Sequence, residues 1–400
     1  MQLVTGTHWL EPLLPSDFPS EILSMAEQLP YQAGKLAGML PPETTTCVGG
    51  LLRVTSSFYS NLIEGQFTEP VSLAPRAPKR SRKELTELAV AHIGAQEAFE
   101  RAISRHSTVP WREFFSPSFA ARIHRRLFES ATEEQLRLAD GDRLVPGQLR
   151  DAAERDVMVG QHAAPAWAAV TPMLNRMQQV YGSPADARTR LLAAMAYHHR
   201  LAWVHPFADG NGNGRVVRLL THLQLHKLNL SSPLWSLSRG LARQQEQYYA
   251  RLANADQPRR GDLDGRGQLT QAGLFEFVGF MLDTCLDQMR YIEAAMRVGQ
   301  MRERLEKIFA WDPRISSAGV KPEVARALHV LLTQGKVGRA DFKVFTGLGE
   351  RTATDQLRKL VELGLVDSPT PKAREIFPAL PVWFAQQLFP DLHQRLGPAL

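Results

Sequence analysis

Cysteine is scarce: Cys47 and Cys285 are the two in 400 residues. Neither belongs to a Cys/His cluster with zinc spacing, so neither a disulfide framework nor a structural zinc site is expected. Both lie in apolar helical contexts, where a thiol packs as a small hydrophobe. No apolar run reaches the length of a membrane span. No basic segment followed by an apolar stretch opens the chain either, so the reading is a cytoplasmic protein without a membrane partner. A strong charge excess is also missing. With 47 basic and 41 acidic residues the net charge is +6, too mild by itself to select a nucleic-acid partner. No internal repeat is apparent.

What is present is an ordinary globular composition, 44% hydrophobic and 22% charged, in a length that suggests two or three domains. Residues 1–45 read as a proline-containing arm with one helical piece, Ser20 to Gln28. A helix is expected from Thr46 to Glu64, with Leu51, Val54, Phe58 and Leu62 as its apolar stripe and Gly65 as its stop. The stretch Glu69 to Arg82 is rich in proline and basic residues and reads as a solvated loop. Helices are expected at 83–105, 117–130, 166–181, 186–203, 214–228, 239–254 and 269–309. A small hairpin interrupts them near Arg155 to Gly160. Asp262 to Gly267 lacks the ligand spacing of a calcium loop and reads as a turn. The helical pattern breaks near Trp311 to Gly319. Helices at 323–334, 338–345 and 351–363 follow, then two short strands, Leu365-Val-Asp and Ile376-Phe. Three helices and a wing make a winged helix-turn-helix. The fold class is therefore mainly α.

The stretch that organises the chain is His205-Pro-Phe-Ala-Asp-Gly-Asn-Gly-Asn-Gly-Arg-Val-Val-Arg218. It joins two apolar helices. Glycines let backbone N–H groups approach an anion, and a helix N-terminus favours negative charge. An imidazole titrates near neutrality and suits a general base. A carboxylate such as Asp209 suits magnesium, which keeps water and phosphate oxygens beside one or two acids. Arg215 and Arg218 can grip phosphate oxygens.

These residues resemble the Fic family (filamentation induced by cyclic AMP), whose motif is His-x-Phe-x-Asp/Glu-Gly-Asn-Gly-Arg-x-x-Arg. The resemblance spans roughly residues 40 to 300 and implies a Fic-fold helical core that moves AMP from ATP onto a protein hydroxyl. On that basis His205 is the base and Asp209 the Mg²⁺ ligand. Gly210, Asn211, Gly212, Asn213, Gly214, Arg215 and Arg218 bind the nucleotide. This tract is two residues longer than the motif, so two registers exist. Either Gly212-Asn213-Gly214-Arg215 is the core, which keeps Gly-Asn-Gly-Arg-x-x-Arg continuous into the helix and is preferred, or Asp209 to Gly212 is.

Ser60-Asn-Leu-Ile-Glu64-Gly65 resembles the family's inhibitory motif, in which the glutamate pairs with the second motif arginine, here Arg218. Pro146 to Arg150 with Val157 to His162 looks like the flap that holds the target segment; Val159, Gly160, Gln161 and His162 lie at its nucleotide end. His198 matches a family histidine expected to be structural. The acid that often stands three before the catalytic histidine is here Ala202. Tyr248 or Tyr249 could stack on the adenine or pack in the core. The resulting organisation is an arm (1–45), a Fic domain (46–310) with inhibitory helix (46–65) and flap (146–165), and a winged helix (320–400). Partners implied are ATP, a hydroxyl-bearing target protein (the chain itself included) and, through Lys343, Arg351, Arg358 and Lys359, DNA. A homodimer is compatible with all of this. The competing functions are removal of AMP from a modified protein, and a DNA-binding regulator that senses nucleotide.

Overall fold

The computed structural model describes residues 3–70, 84–105, 109–138, 141–159, 162–208, 212–231, 234–370 and 372–393. Most of the proline- and arginine-rich stretch after Pro70 lies outside them. The order begins α1 (Ser20–Ala37), α2 (Pro42–Ile63), α3 (Glu84–Arg105), α4 (Pro117–Leu127), β1 (Met158–Val159), β2 (His162–Ala163), α5 (Trp167–Tyr181) and α6 (Ala187–Val204). It continues α7 (Asn213–Lys227), α8 (Leu237–Arg243), α9 (Gln245–Ala255), α10 (Gln271–Ala295) and α11 (Val298–Trp311). The last part is α12 (Pro313–Ser317), α13 (Val324–Gln334), β3 (Val337–Gly338), α14 (Arg339–Thr346), α15 (Glu350–Glu362), β4 (Val366–Asp367), β5 (Glu375–Pro378) and α16 (Val382–Leu388). The protein is mainly helical with small antiparallel sheets. None of the helices described is long and apolar enough to cross a membrane.

Helix α6 is the central rod. Asp186 caps it by accepting the Thr189 N–H at 2.9 Å. From Leu191 to Val204 its residues are buried on nearly every side, the polar His198, His199 and Arg200 included. Helices α5, α7 and α10 pack against it, and α1 lies along α10. Helix α2 lies between α3 and α8. It starts earlier than the expected Thr46 because Pro42 occupies its first turn, where a missing N–H costs nothing. Glycine 65 then leaves at φ +72°, the left-handed geometry that halts a helix.

Three further boundaries differ from the sequence reading. Helix α1 runs past Pro30 because Leu29, Ala33 and Leu36 continue its buried stripe. The expected 269–309 helix is two. The break at Met296–Arg297 is held by Arg304 of α11, whose Nη2 donates to the Ala295 carbonyl ending α10 at 2.8 Å. The expected 239–254 helix also splits, at Gln244, with Ser236 capping α8.

At the pattern break near residue 312, Asp312 accepts the N–H groups of Arg314 (2.7 Å) and Ile315 (3.3 Å). An N-cap of this kind contributes about 1 kcal/mol. Asp312→Ala should lower unfolding free energy by about that amount in a urea titration, and an unchanged midpoint would contradict the cap's role. Beyond it, α13 to α15 pack with a three-stranded sheet of order β3-β5-β4. The unexpected strand is Val337–Gly338, paired with Ile376 and Glu375. Two residues carry too little periodicity to announce a strand. The C-terminal part also holds α2: Thr44 Oγ1 donates to the Leu332 carbonyl of α13 (2.8 Å) and the Tyr59 hydroxyl to the Leu392 carbonyl beyond α16 (3.1 Å).

Candidate active site

The site forms where α6 ends and α7 begins. His205 follows α6 in the left-handed region, φ 50° and ψ 62°. A non-glycine residue held there costs about 1–3 kcal/mol and persists only where its surroundings impose it. Its Nδ1 lies 3.3 Å from the Ala202 carbonyl. A carbonyl only accepts, so this contact puts the proton on Nδ1 and makes Nε2 the basic nitrogen of the neutral ring.

On the α7 side, Asn213 folds back on Phe207. Its Oδ1 accepts the Phe207 N–H at 3.0 Å and its Nδ2 donates to the Phe207 carbonyl at 3.1 Å. With Gly212 as the helix's N-cap, Gly212-Asn213-Gly214-Arg215 runs unbroken into the helix. The alternative register falls on residues 209–211, which lie outside the described residues. Gly212 needs to be glycine, since a Cβ there would stand 2.8 Å from His124 Nε2.

His124 of α4 was not anticipated as part of the site. It stacks on Phe207, centroids 4.0 Å apart, and its Nδ1 accepts the Gly147 N–H at 2.8 Å. Burial pushes its pKa down to about 3. His92 is likewise held at about 3, by burial first and then by Arg215, Arg218 and His222. Such rings stay neutral in the fold but protonate near 6.5 once unfolded, so the unfolded chain binds more protons between about pH 6.5 and 3. Stability should therefore fall as pH drops through that window. A urea midpoint lower at pH 5 than at pH 7.5 is expected, and a flat or rising one would contradict it.

Arg215 and Arg218 lie one turn apart on α7, each 2% exposed. Arg218 donates from Nε to Ser60 Oγ (3.1 Å), and from Nη2 to the Ser60 carbonyl (2.9 Å) and Glu64 Oε1 (2.6 Å). Burial, the largest single influence, would lower the Arg218 pKa; the Glu64 carboxylate together with Tyr248 and Tyr249 outweighs it and the net shift is upward. Arg215 is bonded by Gln66 Oε1, and burial lowers its pKa to about 10. A Cβ on Gly214 would meet the Glu64 carboxylate, so this glycine permits the approach of Glu64. Helix α9 steadies the end of α2, with Gln245 Nε2 (3.1 Å) and the Tyr249 hydroxyl (2.9 Å) both donating to the Ile63 carbonyl.

A model of the Fic/DOC family matches residues 114–225. Those residues form a Fic/DOC family domain. It runs from the approach to α4 into α7 and contains the hairpin, His205 and both arginines; α2 lies outside the matched range. Among solved structures, a Fic family protein from Desulfovibrio desulfuricans G20 aligns at TM-score 0.52 and 17% identity, over 92% of this chain and 98% of that one. A Fic domain containing signaling protein from Bacteroides thetaiotaomicron VPI-5482 aligns at 0.50 and 16%, over 68% and 97%. At these identities the likeness is one of fold. No curated protein matches the chain. Fic family proteins are generally transferases that modify proteins.

Within the Fic/DOC domain, Asp209, Gly210, Asn211, Gly160 and Gln161 lie outside the described residues. Val159 and His162 pair across the hairpin; Val159 is 45% exposed. His162 is turned inward, its Nε2 donating to the Trp203 carbonyl at 2.8 Å with Asp256 3.6 Å from its Nδ1. Tyr248 differs from its sequence assignment. It is buried, with its hydroxyl 2.8 Å from His198 Nε2, and His198 Nδ1 lies 2.8 Å from Thr221 Oγ1. Both residues therefore pack the core between α6, α7 and α9, and Tyr248 presents no open face to a base. Its half-exposed neighbour is Tyr249.

Sequence reasoning missed Gln66 and His124, and named Arg150 only as the end of a flap segment. Gln66 had a faint signal, standing just past the helix-ending Gly65. The other two act through tertiary contacts that no local spacing reports.

Proposed function

We propose that this protein transfers AMP from ATP to a Ser, Thr or Tyr hydroxyl of a protein, and that Glu64 holds it inactive. The observation that carries the reading is the buried Arg218 engaged by Ser60 and Glu64 from a helix 154 residues earlier in the chain. In the transfer, the acceptor oxygen bonds to the α-phosphorus as the bond to pyrophosphate breaks, and the hydroxyl proton passes to His205 Nε2. Arg215, Arg218 and the N–H groups opening α7 hold the phosphates, so most of the catalysis is positioning and electrostatics.

Magnesium fits this chemistry. The ion takes one or two carboxylates alongside water and phosphate oxygens, and Asp209, outside the described residues, is the residue proposed to hold it. Bound there, the ion would neutralise phosphate charge.

In the resting form, Glu64 neutralises Arg218 and repels an incoming phosphate, while the uncharged Gln66 amide oxygen accepts from Arg215. The C-terminal helices and sheet are proposed to form a winged helix. Use of that unit on DNA draws little support from its charges. Lys343 pairs with Glu350, Arg358 with Asp355 and Glu362, and Lys359 with Asp355. A mobility-shift titration at stated salt concentrations tests that reading.

The transfer itself is tested with ATP labelled at either the α or the γ phosphorus, incubated with the Glu64→Gly variant and candidate acceptors. Label retained on protein only from the α position is expected. Label retained only from the γ position would replace adenylylation with phosphorylation. Incubation with an AMP-modified protein tests the reverse reaction.

A further inference from the structure

We infer that Arg150 positions His205, and that together with His162 it makes the flap the C-terminal cap of the catalytic helix. The inference rests on the reading that His205 takes the acceptor's proton.

A helix leaves its last four carbonyls without intrahelical partners. At the end of α6 each has one. The Leu201 carbonyl accepts the His205 N–H (3.2 Å) and that of Ala202 faces the His205 ring (3.3 Å). The next two are taken from outside: His162 Nε2 bonds the Trp203 carbonyl (2.8 Å) and Arg150 Nη2 the Val204 carbonyl (2.9 Å). Arg150 then continues along the chain. Its Nε donates to the His205 carbonyl at 2.8 Å and its backbone N–H to the Pro206 carbonyl at 2.9 Å. One residue thus takes three consecutive carbonyls around the catalytic candidate. The adjoining Leu149 bridges to Phe207.

These bonds fix the peptide planes on both sides of His205. The left-handed conformation of His205 is unfavourable by itself, so something must impose it, and the aim of the imidazole follows from that conformation. A fork-shaped guanidinium can reach two successive carbonyls, whereas a lysine ammonium is a point charge without that geometry. The positive charge also suits the negative end of α6. Arg150 is buried, and Asp156 Oδ1 holds its Nη1 at 2.8 Å. The same oxygen accepts the Trp167 N–H that starts α5 (2.7 Å). The hairpin therefore stands on two feet, Arg150 with Asp156 before β1 and His162 in β2, and both rest on residues 203–206. Its outer residues Met158 and Val159 are exposed. A protein segment held there would press on the element that aims His205.

The test uses Arg150→Lys and Asp156→Asn in the Glu64→Gly background, with kcat and the KM for ATP measured separately and the His205 ring protons followed by NMR. Misplacement by about 1 Å costs on the order of a hundredfold. Arg150→Lys should lower kcat by roughly ten- to a hundredfold, keep KM for ATP within about twofold because the phosphate groups sit on α7, and shift the His205 signals. An unchanged kcat, or a raised KM at constant kcat, would overturn the inference. If Arg150→Lys does not fold, Asp156→Asn decides. It keeps an acceptor oxygen but removes the charge that steadies the guanidinium. A smaller fall in kcat at constant KM supports the inference, and an unaltered kcat overturns it. If Glu64→Gly itself transfers nothing, adenylylation fails as a reading. The NMR signals then decide alone: a shift of the His205 ring in either variant supports positioning, and no shift overturns it.

Discussion

Replacing Glu64 with glycine is expected to raise AMP transfer by roughly ten- to a hundredfold over the unaltered protein. Arg218 is almost wholly buried, and among the described residues Glu64 Oε1 supplies its carboxylate contact, at 2.6 Å. A hydrogen bond to a charged group is worth about 1.5–3 kcal/mol. A phosphate that must displace that bond loses about that much affinity for the productive pose. Removing the carboxylate returns it and also relieves a like-charge repulsion. The same change removes the carboxylate partner of Arg218, and a buried charge deprived of its partner is costly. The Glu64→Gly protein should therefore melt at a lower temperature than the parent without nucleotide and regain stability with ATP and Mg²⁺. Equal labelling of an acceptor by the parent and the variant would remove the inhibitory role from Glu64.

His205→Ala, made in the Glu64→Gly background, is expected to lower transfer by about 10²–10⁴-fold, the usual contribution of a positioned general base. The His205 ring has its Nδ1 against the Ala202 carbonyl, and Nε2 is the nitrogen proposed to take the acceptor's proton. Its neighbours Arg215 and Arg218 are on a separate helix. ATP affinity should thus stay within about twofold while turnover collapses, the pattern of a group that acts in the transition state. A parallel loss of ATP binding and rate would make His205 a binding residue.

How much of this could be read in the residues depends on how local each signal is. The α2 stripe, the stop at Gly65 and the break before α12 rest on periodicity, glycine geometry and capping, and these are written in neighbouring residues. The stretch from His205 to Arg218 is contiguous, so its residue types announced a phosphate-binding loop. The Glu64–Arg218 contact joins distant segments and was expected only through the family resemblance; the geometry shows the two side chains meeting. Other features depend on tertiary contacts. Arg304 closing α10, Gln66 on Arg215, and Arg150 spanning three carbonyls each bond to a backbone or side chain that local periodicity does not bring near. Tyr248 illustrates the reverse error. An aromatic pair near a nucleotide site suggested stacking, yet α9 turns Tyr248 into the core toward His198 and leaves Tyr249 at the surface.

The central claim is that a Fic/DOC domain restrained by Glu64 carries AMP-transfer chemistry. Intact-mass spectrometry of the Glu64→Gly protein after incubation with ATP and Mg²⁺ tests it most directly, with the Glu64→Gly/His205→Ala protein alongside. The account predicts an added mass of one adenylate on the first protein and none on the second. The same adduct on both, or none on either with a hydroxyl-bearing acceptor present, would contradict it.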